Sequence, residues 1–166
     1  MEIVSLHLVQ LFRALLANSD KASDSIPQLP QSSASRRSTS LVQDSFAVRL
    51  FCFVRFIADI VECTAFEILY IVFLIEKLAR EDINSSSNKK GSLITPNNIG
   101  TLLVCSFVVA LKYLRDHAPP TSWWTRTLRL PATVLPVSER TFLAHLDYRL
   151  SINNDDFQRL RVFFGV

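Results

Sequence analysis

Glycine is nearly missing from this chain: Gly91, Gly100 and Gly165 are the only three in 166 residues. Phosphate-cradling loops need clustered glycines for close backbone approach, so nucleotide chemistry is excluded as a first reading. Asn-Gly and Asp-Gly pairs do not occur either, and without these hairpin signals an all-β fold is disfavoured. Concentrated charge of one sign is lacking. The 18 basic and 15 acidic residues are interspersed for a net charge of +3, whereas a nucleic-acid binder more often gathers its cations into a stripe. Arg36-Arg37, Lys89-Lys90, and Arg159 with Arg161 are scattered and read as solvated.

An apolar run of membrane-spanning length is also lacking. Pro96, Asn97 and Asn98 break the uncharged interval between Lys90 and Lys112. The remainder, 99–111, is about two-thirds of the ~20 residues a spanning helix needs. Arg55, Asp59, Glu62 and Glu67 interrupt the other greasy region, so no membrane insertion is expected. Glu2, His7, Gln10 and Arg13 punctuate residues 1–17, and no basic segment leads them. An amphipathic helix accounts for this stretch better than a signal peptide. The three cysteines, Cys52, Cys63 and Cys105, lie in apolar helical surroundings. They read as small buried hydrophobes of a reducing compartment, not as disulfides or metal ligands. His7, His117 and His145 lack ligand spacing, so neither metal nor cofactor is expected. No activated serine or cysteine accompanies His145 and Asp147, which are too close for one helical face. Catalytic residues are therefore expected to be absent.

What the chain does hold is apolar helical pattern: 49% of its residues are hydrophobic. The spacing predicts an amphipathic helix over 1–17, then a flexible polar loop over 18–41 rich in Ser, Gln, Asp and Pro. Arg36-Arg37-Ser38-Thr39-Ser40 in that loop resembles a basophilic kinase site. A helix over about 42–61 follows, with Phe46, Leu50, Phe53, Ile57, Ile60 and Val61 on its apolar face. Thr64 and Glu67 form a capping-box pattern for a helix over about 65–80. That helix is apolar nearly all round through 68–75, as expected of a central member of a bundle. A polar loop is expected over 83–93. Thr95-Pro96 then reads as an N-cap with proline at the first helical position, for a helix ending near Arg115. Pro119-Pro120 stops it, a short helix fits 122–128, and Ser138 reads as the cap of a helix ending near Leu150. Asn154, Asp155 and Asp156 favour the start of a last helix. The fold class is all-α, a bundle of five central helices with flanking ones. Trp123 and Trp124 read as core or a wet edge of it.

The segment from Asn98 to Lys112, Asn-Ile-Gly-Thr-Leu-Leu-Val-Cys-Ser-Phe-Val-Val-Ala-Leu-Lys, resembles the third helix of a cyclin box. The similarity is to the small single-box cyclins of fungal phosphate control and of plant and protist P/U types. Trp123-Trp124-Thr125-Arg126 stands where that group has Tyr-Trp/Tyr-Ala-Lys. Glu139, then Phe142 to Leu150, resembles the fifth helix, and Phe73-Leu74-Ile75-Glu76-Lys77-Leu78 takes the place of Tyr-Leu-Asp-Arg-Leu/Phe. Gly100-Thr101 departs from the usual His-Arg, Glu76-Lys77 from Asp-Arg, and Arg55 lies about one residue from the expected arginine.

The resemblance implies a cyclin box over 42–152 with a C-terminal helix or extension over 153–166. It implies a regulatory subunit, not an enzyme, that binds and activates a cyclin-dependent protein kinase through a helix-receiving groove. Lys112 and Glu139 would be its polar clamps, with Val109, Tyr113, Leu143, Leu146 and Leu150 forming the apolar trough. Arg55 with Glu76 would be a structural ion pair. The compartment implied is the cytoplasm, the nucleus or both. Two other classes stay open: a helical adaptor or oligomerisation module unrelated to kinases, and a cyclin-like fold that touches DNA through a basic face.

Overall fold

The computed structural model describes residues 48–86, 94–95 and 97–165. The expected helix over 1–17, the polar loop over 18–41, the start of the next helix and Pro96 lie outside them. The chain divides into two compact units, Met1–Glu62 and Cys63–Val166. Every regular element among the described residues is a helix.

In the first unit, α1 covers 48–60. Leu50, Val54, Ile57, Ala58 and Val61 are its buried residues, spaced at three, four and seven as one helical face requires. Glu62, in the left-handed region at φ 50°, ends it.

The second unit holds five helices. They are α2 (Ala65–Ser86), α3 (Ile99–Leu114), α4 (Thr121–Thr127), α5 (Val134–His145) and α6 (Asn154–Phe164). The central element is α3: its residues from Leu102 through Leu111 are all buried. It packs on α2 and on α5, while α6 lies against α2 and α4 against α5. Residues 67–75 of α2 are likewise buried without a break, as its all-round apolar pattern predicts. Each fully buried Leu, Ile or Phe is worth about 1.5–3 kcal/mol over leaving it exposed, so this apolar interior outweighs any single surface ion pair.

The capping box at the start of α2 is formed in both directions. Thr64 N–H donates to Glu67 Oε2 at 2.7 Å, and Glu67 N–H donates to Thr64 Oγ1 at 3.2 Å. The same carboxylate reaches across to the end of α3. Arg115 Nε donates to Glu67 Oε1, and its Nη2 donates to Oε2 at 2.8 Å. Glu67 is only 6% exposed, and its two oxygens accept from the Thr64 N–H and hydroxyl and from the Arg115 guanidinium.

Other boundaries differ from expectation. α2 runs to Ser86, beyond the expected end near residue 80. α3 begins at Ile99, because Asn98 folds back: its Oδ1 accepts the Thr95 N–H at 3.0 Å in a tight turn. Ser138 is not a cap. α5 starts at Val134 with Thr133 before it, placing Pro136 in the first turn, where its missing N–H costs nothing. α5 also stops at His145, short of Leu150. Asn153 caps α6, accepting the Asp156 N–H at 2.7 Å, and Gly165 closes it at φ 68°.

The Arg115 guanidinium, with help from Thr64, holds the Glu67 carboxyl at about 2, down from the usual 4.5. A depressed folded-state value adds stability above pH ~4.5 that is lost as pH falls toward 2. Glu67→Gln is expected to lower unfolding stability by about 3 kcal/mol at pH 6, with the gap to wild type closing between pH ~4.5 and 2. Urea titrations across that range check this; a gap independent of pH would refute it.

Candidate functional site

Lys112 lies in the last turn of α3 and Glu139 in the middle of α5, 27 residues apart in sequence and in direct contact in space. The ammonium donates to Glu139 Oε1 at 2.6 Å and to Oε2 at 2.8 Å. Its third partner is Thr121 Oγ1, at 3.1 Å, on the first residue of α4. The lysine side chain is 37% exposed and the glutamate 14%, so the pair sits at the surface with the acid set deeper. Since α5 begins five residues before it, Glu139 has no role in starting that helix.

Of the expected trough, part is open and part is core. Tyr113 is 52% exposed, and Leu143 and Leu150 are half-buried. Val109 and Leu146 are buried in the chain's own interior and offer no surface to a partner. For Val109 the reason is that α3 is enclosed on all sides over that stretch. For Leu146 it is that α5 has already ended. The expected helical stripe through 146 and 150 is replaced by a turn in which Asp147 and Tyr148 both take left-handed backbone, at φ 49° and 55°. Leu143 O accepts the Tyr148 N–H at 2.9 Å there, and the chain then leads Leu150 back toward α2.

One face of α2 holds that turn. Tyr70 Oη donates to Leu150 O at 2.5 Å, and Lys77 Nζ donates to Arg149 O at 2.6 Å. The Tyr70 ring also stacks on Tyr113, at 5.4 Å with planes 5° apart. Burial raises the Tyr70 hydroxyl above the ordinary phenol range and lowers the Lys77 ammonium below its usual value. Beside Lys77 a cleft of about 400 Å³ is lined by Phe73, Lys77, Arg80, Glu81, Ser151, Ile152, Asn153 and Asp156. Its walls carry both signs of charge.

Arg55 belongs to the first unit and Glu76 to the second, and each has an ion-pair partner within its own unit. Arg55 lies 3.8 Å from Asp59 one turn along its own helix, with both side chains more than half exposed. Glu76 accepts from Arg159 of α6 at 2.7 Å, which raises the Arg159 guanidinium further above its already high value. The buried arginine–acid pair of the second unit is Arg115 with Glu67. Sequence reading missed it because Glu67 already had an assigned role as cap and Arg115 stood at a helix end. Thr121 was missed too; its only signal is that it directly follows Pro119-Pro120.

Trp124 is fully buried and Trp123 half-buried against it, edge to face at 5.2 Å, so the two are core and rim. The cysteines are free and of three kinds: Cys105 buried, Cys63 intermediate, and Cys52 exposed, contrary to the expectation that all three are buried. Cys52 falls on the outward side of α1, opposite the buried stripe. Desolvation pushes both the Cys63 and the Cys105 thiol up to about 12. Among the described residues no cluster of His, Cys, Asp and Glu is placed to hold a metal ion. No helix there is long and apolar enough to cross a membrane.

No family model, no curated protein and no solved structure matches the chain.

With their thiolates suppressed, Cys63 and Cys105 are expected to resist a thiol reagent such as DTNB at pH 8 in the native protein, while Cys52 reacts freely. Mass spectrometry of the labelled sites checks the order. Early labelling of Cys105 would contradict the enclosure of α3.

Proposed function

We propose that this chain is a cyclin-like regulatory subunit that binds and activates a cyclin-dependent protein kinase. The observation that carries the reading is the meeting of Lys112 and Glu139 at the surface, beside the exposed Tyr113 and the half-buried Leu143 and Leu150. The resemblance of the segments around these residues to the third and fifth helices of a cyclin box supplies the partner. An ammonium suits the unpaired carbonyls of a helix end, and a carboxylate accepts from backbone amides. The tyrosine ring and leucine side chains beside them fit the apolar face of an incoming helix.

On this reading the chain performs no chemistry. Its preference for the active arrangement of the kinase shifts that enzyme's own equilibrium, helping to assemble the Lys–Glu ion pair needed for phosphoryl transfer. The trough is narrower than the sequence implies, since Val109 and Leu146 are internal. Recognition therefore leans on the polar pair and on Tyr113. Such a complex works in the cytoplasm, the nucleus or both.

Truncating one member of a charge pair that becomes buried on association costs about 2–5 kcal/mol, so Lys112→Ala and Glu139→Ala are each expected to weaken kinase binding by that amount. Pull-down and activity assays with purified cyclin-dependent kinases check this, with circular dichroism to confirm folding. Unchanged binding and activation by both variants would refute the assignment. A stable homodimer that engages no kinase would favour the adaptor reading.

A further inference from the structure

Tyr113 stands next to Lys112 on α3 and is 52% exposed, yet one face of its ring is seated. It lies on Tyr70 of α2, with ring centroids 5.4 Å apart and planes within 5° of parallel. Exposed side chains ordinarily exchange among rotamers in nanoseconds or less, and a partner that must order one loses affinity. The stack orders this one beforehand.

The seat is itself held in the interior. Tyr70 is 1% exposed, its hydroxyl donates to Leu150 O at 2.5 Å, and its ring lies 5.9 Å from that of the buried Phe73. Parallel offset rings at such separations attract beyond what their buried area supplies. A contact that only filled the core would cover both rings. Here one is wholly internal and the other keeps half its surface for solvent. The carbonyl held by the Tyr70 hydroxyl belongs to Leu150, another member of the proposed trough.

We infer that Tyr70 is a positioning residue for kinase recognition, an internal platform that sets the Tyr113 ring in its binding orientation before the kinase arrives. This rests on the kinase-binding reading above. Its consequence is that a substitution buried inside the bundle, touching no partner atom, alters affinity and does so through Tyr113.

The test uses the full chain. Tyr70→Phe and Tyr70→Met both lose the hydroxyl and differ in the ring, and the flexible thioether of Tyr70→Met can fill the space left. Tyr70→Leu serves as a second ring-free variant, and circular dichroism with thermal melts confirms that each folds. In the free chain, NMR reads the ring-current shift of the Tyr113 ring protons. Tyr70→Phe is expected to keep that shift and the ring-free variants to lose it. Calorimetry then titrates each variant against a panel of purified cyclin-dependent kinase catalytic subunits. The ring-free variants are expected to bind about fivefold more weakly than Tyr70→Phe, the equivalent of about 1 kcal/mol. In a Tyr113→Ala background that gap is expected to close, which a general loss of packing would not do. An unmoved Tyr113 signal, equal binding by Tyr70→Phe and the ring-free variants, or a gap that survives Tyr113→Ala overturns the role of Tyr70. The clamp still stands in each of those cases while Lys112→Ala weakens binding. Failure of every kinase to bind, or full binding by both Lys112→Ala and Glu139→Ala, overturns the clamp and this inference together.

Discussion

One carboxylate, Glu67, closes two helix ends at once. It completes the capping box with Thr64 at the start of α2 and takes the guanidinium of Arg115 at the end of α3. A buried acid without such partners would be costly, and a buried pair is weak evidence for stability by itself. What this pair fixes is register. It ties the first turn of one long helix to the last turn of its neighbour, and Lys112 stands in that same last turn of α3. The position of the lysine at the surface thus depends on an acid buried 45 residues earlier in the chain.

The parts of this fold that were legible in the sequence are those set by local rules. Thr64 and Glu67, three residues apart, are enough to start α2, and the unbroken apolar run that follows is enough to bury it. Elements that depend on what the backbone does at a stop were harder to read. Pro136 reads as a boundary, but a first turn has no use for that N–H, so α5 starts earlier and carries the proline inside. The end of α5 gives little signal: Asp147 is a type that tolerates the left-handed region, but Tyr148 beside it takes the same conformation with a side chain that ordinarily avoids it. Continuing the helical stripe through Leu146 to Leu150 therefore failed at that point.

The candidate site divides along the same line. Periodicity can place Lys112 on a helix face, but nothing in the pattern brings it to Glu139; the packing of α3 on α5 does that. Glu76 shows what such reading leaves out: Arg159 on α6 brings it a cation that the sequence did not assign. Long-range ion pairs follow from packing, and the docking of α6 on α2 cannot be read from either sequence segment alone. Val109 shows the complementary limit. Its residue type suits a trough and a core equally, and only the enclosure of α3 decides between them.

The connection between α5 and α6 differs from an ordinary surface loop, which absorbs added or deleted residues at little cost. Two consecutive left-handed residues set its direction, and Lys77 and Tyr70 grasp the carbonyls of Arg149 and Leu150. Its length is consequently locked to the pitch of α2: shifting the linker by one residue would present the wrong carbonyls to both side chains and leave the Tyr70 hydroxyl unpaired beneath the surface.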